Sequence, residues 1–544
     1  MAAKVLQIDP RDNVLVALEP LNAGEPVQFA DAIYTPPTAI PAKHKFATEE
    51  LPVGSHIIMY GVVVGRVREA IPRGGLIATR NVAHDSMDFA RRDSQFRWTP
   101  PDVSRWQTRT FDGYYREDGQ VGTRNYWLVI PLVFCENRKV EALRDAFEEE
   151  LGYARPKKYT QLVRRLVERQ ANGLHAAVTD EAVTTSRERV FPNVDGIRFL
   201  THEGGCGGTR QDSQALCGLL AGYIHHPNVA GATVLSLGCQ HAQGSILLDE
   251  LRKRDPQMTK PVLLFDQQQS GLESSLMTKA IEATFEGLIK ANEVQRKAAP
   301  LSKLTMALKC GGSDGFSGLS ANPVLGRVSD ILVALGGSSI LSEFPELCGV
   351  EQNLIDRCAD ARDADRFIHL MRTYNARARA VDSGFEMNPS PGNIQDGLIT
   401  DAIKSAGAAR KSGTSPVRGV LDYPEYVTEN GLNLLCTPGS DVEAVTAQAG
   451  AGANLVLFTT GLGTPTGNPV APVIKVSTNT RLAERMSDII DFDTGAIIRG
   501  EARVEEVADS MLERMLEVAS GRSLTKAEEL GQYDFIPWKR GVSL

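Results

Sequence analysis

The pattern of hydrophobic and polar positions changes near residue 113. Before it, NVLVALEPLNAGEPV alternates like a strand, and HIIMYGVVVGRVREAIPRGGLIATRNV gives short β-branched runs that glycines interrupt. The stretch over 99–112 carries charges and prolines without periodicity, so we interpret it as a linker. The sequence therefore predicts a small β-rich module over residues 1–98, followed by a linker.

After residue 113, buried strands alternate with glycine-rich turns and amphipathic helices. The pattern predicts strands in NYWLVIPLVFC, GIRFLTHEGGC, GATVLSLGC, LTMALKC and GLNLLC. Such alternation is typical of α/β domains with mainly parallel sheets. The length allows two of them, over 113–300 and 301–544, which meet in ANEVQRKAAPLSK.

Composition and charge narrow the function. The net charge of -8 is small for 544 residues and argues against non-specific nucleic-acid binding. No apolar run is long enough to span a bilayer, and the first residues lack the apolar core of a signal peptide. We therefore expect a cytoplasmic protein that binds a small molecule rather than a nucleic acid or a membrane. A symmetric homodimer is expected as the commonest oligomer.

Cysteines recur where predicted strands end. In a reducing compartment the eight cysteines are expected to be thiols or metal ligands rather than disulfides. Ligands bind at the carboxyl ends of strands in open α/β sheets, and a thiolate there is a nucleophile or a soft ligand for iron or zinc. For Cys135, Cys206, Cys239 and Cys310 the pattern leaves function and simple packing equally open. No CxxC spacing is present, which argues against a zinc ribbon or a thioredoxin-type site.

A few other polar residues stand where chemistry is expected. His202 and Glu203 share the loop of Cys206. Asp314 and Glu343 follow predicted strands, where each can act as a base, a ligand or a helix cap. His44 lies in the β-rich module, and the alternative that it is an exposed residue without a function stays open.

Several long segments carry a family resemblance. GYYREDGQVGTRNYWLVI, NVAGATVLSLGC, CGGSDGFSGLSANPVLG, NPSPGN and GANLVLFTTGLGTPTGNPVAPVIKVSTNT resemble the altronate and galactarate dehydratases over about residues 111–500. The N-terminal module resembles the SAF domain of these enzymes. The resemblance implies a hydro-lyase that removes water across C2 and C3 of a sugar acid and gives a 2-keto-3-deoxy acid. The C-terminal motifs look closer to the altronate branch, so D-altronate is the expected substrate.

The resemblance also implies a cofactor and a set of site residues. The cofactor is Fe²⁺, Mn²⁺ or another divalent metal, and an iron–sulfur cluster on three cysteines stays open. The matched segments imply metal ligation by Cys135, Cys206, Cys239 and Cys310. They imply substrate contacts by Arg124, Asn125, Ser313, Asn388 and Asn393. Catalytic roles are expected for His44, Asp314, Glu343 and Lys475, and for His202, which shares the loop of Cys206.

Three alternatives to an altronate dehydratase remain open at this point. The first is a galactarate dehydratase of the same family. The second is a sulfolactate-type sulfo-lyase, in which the leaving group is sulfite instead of hydroxide. The third is a sugar-acid-binding protein without catalytic activity.

Overall fold

The computed structural model describes residues 3–91, 96–155, 158–172 and 187–544. Within 3–91 the chain forms short antiparallel strands and no α-helix. The strands are β1 (Val5–Leu6), β2 (Val14–Ala17), β3 (Val27–Phe29), β4 (Ala32–Tyr34), β5 (Lys45–Ala47), β6 (His56–Met59), β7 (Val62–Val67), β8 (Leu76–Ile77) and β9 (Val82–Ala83). They pair in the orders β1-β2-β5-β8, β3-β4 and β6-β7-β9.

The second domain is built on a parallel four-stranded sheet in the order β13-β12-β14-β15. Its elements are β10 (Thr110–Tyr115), β11 (Val121–Gly122), β12 (Tyr126–Pro131), α1 (Asn137–Glu150), α2 (Lys158–Asn172), β13 (Gly196–Phe199), α3 (Arg210–His225), β14 (Val229–Ser236), α4 (Gly244–Arg254), β15 (Val262–Asp266), α5 (Gln267–Ser270), α6 (Glu273–Ala291) and β16 (Lys297–Pro300). The central strands β12 and β14 of this sheet are buried, as expected for a parallel sheet with helices on its faces, whereas the edge strand β15 is only partly buried.

The stretch predicted as a linker is packed against the C-terminal domain. Trp106 is buried in a core formed with one face of helix α15 (Val504–Ala519). Arg109 pairs with Glu513 of the same helix. Strand β10 begins at Thr110 and pairs with β16. Strand β16 lies within ANEVQRKAAPLSK, the segment in which the sequence predicts the boundary between the two α/β domains. An antiparallel ribbon, rather than a loose connection, therefore joins the two α/β domains.

The C-terminal domain holds a seven-stranded parallel sheet in the order β19-β20-β18-β17-β21-β22-β23. The strands are β17 (Thr305–Cys310), β18 (Ser338–Leu341), β19 (Val417–Leu421), β20 (Gly431–Leu435), β21 (Leu455–Thr460), β22 (Val473–Ser477) and β23 (Phe492–Asp493). The helices are α7 (Ala321–Ala334), α8 (Glu351–Arg357), α9 (Ala361–Arg379), α10 (Pro391–Gln395), α11 (Asp401–Ala409), α12 (Asp441–Gly450), α13 (Thr480–Arg485), α14 (Gly495–Ile498), α15 (Val504–Ala519) and α16 (Lys526–Leu530). The predicted fold class, a small β-rich module followed by α/β domains with parallel sheets, is confirmed.

Hydrophobic cores join the domains. Val64 and Ile77 of the N-terminal module pack in one core with Phe344 and Ile399 of the C-terminal domain. A second core combines the face of α3 with residues of α12 and β21. Among the described residues, no helix is both long and apolar enough to cross a membrane.

Candidate active site

Polar side chains gather at the carboxyl edge of the seven-stranded sheet. The chain passes from β17 to β18 on one side of β17, and β21 later adds on the other side. Such a reversal of strand order opens a crevice in which α/β proteins bind ligands. Cys310 ends β17, Glu343 follows β18 and Thr437 follows β20. The C-terminal half of the chain therefore brings its polar residues to the expected edge.

The centre of this edge is a buried group of one thiol and two carboxylates. Cys310 Sγ lies 3.5 Å from Glu346 Oε2 and 4.0 Å from Glu343 Oε2. The donor atoms of all three residues lie within 4.8 Å of one another. Their type and spacing match those of cation ligands, so the metal expectation has to be tested here first.

Three buried lysines already hold this group. Lys411 Nζ lies 2.8 Å from Cys310 Sγ and 2.7 Å from Glu343 Oε2. Lys309 pairs with the other oxygen of Glu343 and, at 2.9 Å, with Asp441. Lys404 Nζ lies 2.9 Å from Glu346 Oε1 and donates to Asn388 Oδ1 at 2.6 Å. We call these three lysines, together with Cys310, Glu343 and Glu346, the lysine–glutamate cluster.

The protonation of the cluster follows from burial and charge. Burial alone would lower the pKa of Lys309, but Asp441 and Glu343 raise it well above the ordinary lysine value. Burial raises the pKa of Cys310 to about 11, so its sulfur is a thiol at neutral pH. Lys309, Lys404 and Lys411 thus pair one for one with the side chains of Glu343, Glu346 and Asp441.

This balance makes the lysine–glutamate cluster a poor site for a divalent metal. A cation would have to displace Lys411 from the sulfur of Cys310 and add charge to a buried group that is already neutral overall. The donor types fit a metal, but their lysine partners do not. We therefore derive no catalytic step from a metal at Cys310.

Backbone conformation fixes the cluster. Glu343 has φ 67° and ψ 56°, a left-handed conformation that is uncommon for a residue other than glycine. Its amide donates to Thr437 Oγ1 at 2.9 Å, which holds the carboxylate towards the lysines. At Gly311 a Cβ would lie 2.3 Å from Asp441 Oδ1, so a larger residue there would displace the carboxylate that pairs with Lys309.

Three consecutive residues of the N-terminal module reach the C-terminal domain, at the Cys310–Gly315 loop that ends β17 and at the neighbouring segment 395–397. Lys43 Nζ lies 3.0 Å from Asp314 Oδ2 and 3.4 Å from Asp396 Oδ1. Lys45 Nζ donates to the carbonyl of Gly397 at 2.7 Å. A Cβ at Gly315 would lie 2.5 Å from the carbonyl oxygen of Lys43, so the module touches the loop directly.

His44 presents an unpaired nitrogen at this contact. Its Nε2 lies 3.0 Å from the carbonyl of Gln395 and therefore donates, which leaves Nδ1 as a lone pair. Nδ1 is buried and has no hydrogen-bond partner among the described residues, and the same holds for Ser313 Oγ. Burial lowers the pKa of His44, so the ring is neutral at neutral pH. Asn393, whose Nδ2 donates to the Ser313 carbonyl at 2.8 Å, connects these two residues' loops.

The structure divides the four predicted metal-ligating cysteines between two sheets. Cys310 is buried in the C-terminal domain, whereas Cys135, Cys206 and Cys239 are exposed and follow β12, β13 and β14 of the second domain. His202 stays with these three cysteines rather than with Cys310. Its Nε2 donates to the carbonyl of Pro131 at 2.8 Å, and its Nδ1 accepts from the amide of Gly204 at 3.1 Å.

Three other predicted site residues have partners away from the lysine–glutamate cluster. Arg124 forms a buried ion pair with Glu528, and Asn125 donates to the carbonyls of Asn193 and Ala291. Lys475 Nζ donates to Gln532 Oε1 at 2.7 Å, and burial lowers its pKa to about 8. The catalytic role of Lys475 and the substrate-binding role of Arg124 and Asn125 stay predictions.

Sequence reasoning missed most of the charged residues of the site. These are Lys43, Lys309, Glu346, Lys404, Lys411 and Asp441. A signal exists only for Lys309, which interrupts the apolar strand LTMALKC one residue before Cys310. A lysine in a buried strand is rare without a partner, so it could have been read as a member of a charged site.

Comparisons with known proteins agree with this architecture. Family models match three consecutive ranges: the altronate/galactarate dehydratase SAF domain over 3–85, the second domain of D-galactarate dehydratase/altronate hydrolase over 113–292, and the C-terminal domain of D-galactarate/altronate dehydratase over 301–543. The altronate dehydratases of Bacillus subtilis and Escherichia coli are 33% and 32% identical to the chain, each over 99% of both sequences. The galactarate dehydratase (L-threo-forming) of Escherichia coli is 30% identical over 97% of the chain and 95% of its own length. The chain therefore belongs to the altronate/galactarate dehydratase family of hydro-lyases.

Proposed function

We propose that the protein removes water across C2 and C3 of D-altronate, with His44 as the base that takes the C2 proton. The observation that carries this proposal is the buried, unpaired Nδ1 of His44, a residue whose neighbour Lys43 contacts the Cys310–Gly315 loop. The 33% identity to an altronate dehydratase supports the substrate, and 30% identity to a galactarate dehydratase keeps galactarate as the second candidate.

The chemistry needs a neutral base next to positioned ammonium groups. The C2 proton lies beside an ionised carboxylate and is weakly acidic, so the charge that develops when it leaves must be stabilised. His44 is neutral because burial lowers its pKa, and its Nε2–H is fixed on Gln395. Nδ1 can therefore accept the proton without a change of tautomer.

The charged residues around His44 supply the stabilisation. Lys43 lies beside His44 and is held by Asp314, while the lysine–glutamate cluster is reached through the same Cys310–Gly315 loop. Ammonium groups that are already positioned stabilise an enediolate without reorganising. The proton from C2 goes to His44 Nδ1, while hydroxide leaves C3 and takes up a proton from solvent. Protonated His44 then returns its proton to solvent, so one water is lost overall, and the enol tautomerises to the 2-keto-3-deoxy acid.

The test compares His44→Gln with His56→Gln in the full-length protein. His56 lies in the same module, is exposed, and pairs with Asp85 of that module. We expect His44→Gln to lower kcat by about 10²–10⁴, the range of general-base catalysis, and His56→Gln to keep the wild-type value. Exchange of the C2 hydrogen with deuterated solvent should be lost in parallel.

The substrate is tested with the wild-type protein. D-altronate and galactarate are each assayed for 2-keto acid, and sulfolactate is assayed for sulfite. Faster 2-keto acid formation from galactarate than from D-altronate would show that galactarate is the preferred substrate. Sulfite release without activity on either sugar acid would overturn the dehydratase proposal, and wild-type kcat in His44→Gln would overturn the role of His44.

A further inference from the structure

The carboxyl edge of the second-domain sheet carries three exposed thiols. Cys135 follows β12, Cys206 follows β13 and Cys239 follows β14, and β12 is the neighbour of both other strands. Parallel strands end at one edge, so the three loops that carry these thiols start side by side. By contrast, Cys217 of the same domain is buried in the packed face of α3.

Backbone hydrogen bonds tie the three loops together next to the cysteines. The amide of Phe134 donates to the carbonyl of Gly204 at 3.1 Å, and the amide of Ala242 donates to the carbonyl of Gly205 at 3.0 Å. Gly205 has φ +97°, and a Cβ there would lie 2.1 Å from the carbonyl oxygen of Leu132. Only glycine allows the Cys206 loop to lie this closely against the end of β12.

Buried polar side chains make this edge rigid. His202 joins the carbonyl of Pro131 to the amide of Gly204 with its two ring nitrogens. Gln240 accepts from the amide of Gly238 at 2.7 Å and donates to Ser236 Oγ at 2.8 Å, which fixes the loop of Cys239. The thiols are therefore carried by a preorganised frame, as metal sites require.

The spacing of the thiols separates two kinds of metal site. A single tetrahedral ion with metal–sulfur bonds of about 2.3 Å needs thiolates roughly 3.8 Å apart. Among the described residues, Cys310, Glu343 and Glu346 are the one group of three such ligands whose donor atoms lie within 4.8 Å of one another. At least one pair of the three exposed thiols is therefore farther apart than a mononuclear site allows.

We propose that Cys135, Cys206 and Cys239 hold an iron–sulfur cluster at this edge, and that Cys310 is not one of its ligands. A polynuclear cluster binds each thiolate to a different iron and so suits the wider spacing. Three ligands on a four-iron cluster leave one iron with an open position for a water or a small oxygen ligand. Cys206 and His202 line a cavity of about 600 Å³ with Glu203, Asp212 and Lys539, which is large enough for a small molecule beside the cluster.

The test measures iron and sulfide rather than turnover. The full-length protein is purified without oxygen and reconstituted with ferrous iron and sulfide. We expect roughly four iron and four acid-labile sulfide atoms per chain, the visible absorption of an iron–sulfur cluster, and a paramagnetic signal after reduction. Cys135→Ser, Cys206→Ser and Cys239→Ser should each lose most of the bound iron and sulfide.

Cys217→Ser and Cys310→Ser are the controls and should keep the wild-type content. Wild-type iron and sulfide in all three cluster variants would overturn the proposal. Iron bound without sulfide, a stable disulfide between two of the three thiols, or loss of iron in Cys310→Ser would also overturn it. Because none of these measurements uses a sugar acid, the outcome is independent of the proposed dehydration.

Discussion

Replacing Arg124 with Met should destabilise the protein rather than weaken substrate binding. Its Nε lies 2.8 Å from Glu528 Oε1, and its Nη2 lies 3.0 Å from Oε2. Its Nη1 donates to the carbonyls of Thr123 and Val518 at 2.7 and 2.8 Å. The Arg124 side chain is 2% exposed and that of Glu528 is 7% exposed, so the pair is desolvated. The contacts with Val518 and Glu528 join the second domain to α15 and α16.

The expected cost follows from what Arg124→Met leaves behind. Burial raises the pKa of Glu528, and Arg124 is the main influence that lowers it below the ordinary value. Without the guanidinium, the buried carboxylate of Glu528 loses its ion-pair partner, whereas the carbonyls of Thr123 and Val518 keep hydrogen bonds from Arg296 and from the amide of Gly521. Breaking a buried pair in this way costs about 3–5 kcal/mol of unfolding free energy. Replacing both partners, as in Arg124→Met/Glu528→Met, should recover most of that loss, because apolar residues pack in a buried site without desolvating a charge.

The assay is chemical denaturation followed by circular dichroism, with KM measured on each variant that folds. Arg138→Met is the matched control, because Arg138 pairs with Glu273 while its side chain is 70% exposed. An exposed pair contributes about 0–1 kcal/mol, so the control should change little. If Arg124→Met keeps its stability within about 1 kcal/mol and raises KM more than tenfold, Arg124 binds substrate and the structural reasoning is wrong.

Two further predictions concern the contact between the N-terminal module and the C-terminal domain. Burial lowers the pKa of Lys45 to about 7, so between that pH and the ordinary lysine value the unfolded chain holds a proton that the folded chain has released. The free energy of unfolding therefore rises with pH in this window. From pH 7 to about pH 9 the wild type should gain roughly 2 kcal/mol relative to Lys45→Met in chemical denaturation. An equal change with pH in the two proteins would contradict this. Gly315→Ala places a Cβ 2.5 Å from the carbonyl of Lys43, so it should push the module away, lower the unfolding free energy by about 1–3 kcal/mol and lower kcat. The control is Gly392→Ala, whose Cβ meets only ordinary contacts and should change neither quantity. Equal activity in the two variants would show that the module can move without effect on catalysis.

The strand-end rule predicted part of the site from sequence. Cys310 ends one buried strand and Glu343 follows another, and parallel strands bring such positions to one edge. Lys404 and Lys411 could not be found in this way. They lie on α11 and in the turn after it, and lysine in a helix is normally part of the solvated surface. Only the fold shows that both ammonium groups point into a buried cluster.

The sequence also could not show which strands share a sheet. Periodicity identifies the strands that end near Cys206 and Cys310, but sheet membership depends on contacts between residues about a hundred positions apart.

Strand β16 (Lys297–Pro300) was missed for a related reason. Its residues KAAP carry no β-branched or aromatic side chain, and it forms a strand because β10 offers it four paired positions.

Backbone strain gives an independent reason to place function at the module contact. Lys43 has φ 75° and Glu343 has φ 67°, and both are left-handed without being glycine. Such conformations cost about 1–3 kcal/mol each and persist where surrounding contacts fix them. Lys43 is fixed by Asp314 and by Lys45, which donates to its carbonyl at 2.9 Å, and Glu343 is fixed by Thr437. The strained residues contact opposite ends of the Cys310–Gly315 loop, Glu343 at Cys310 and Lys43 at Asp314. Ala30 and Tyr60 of the same module are left-handed as well, but Lys43 and Glu343 are the pair that meets at one loop, which accords with the role proposed for His44.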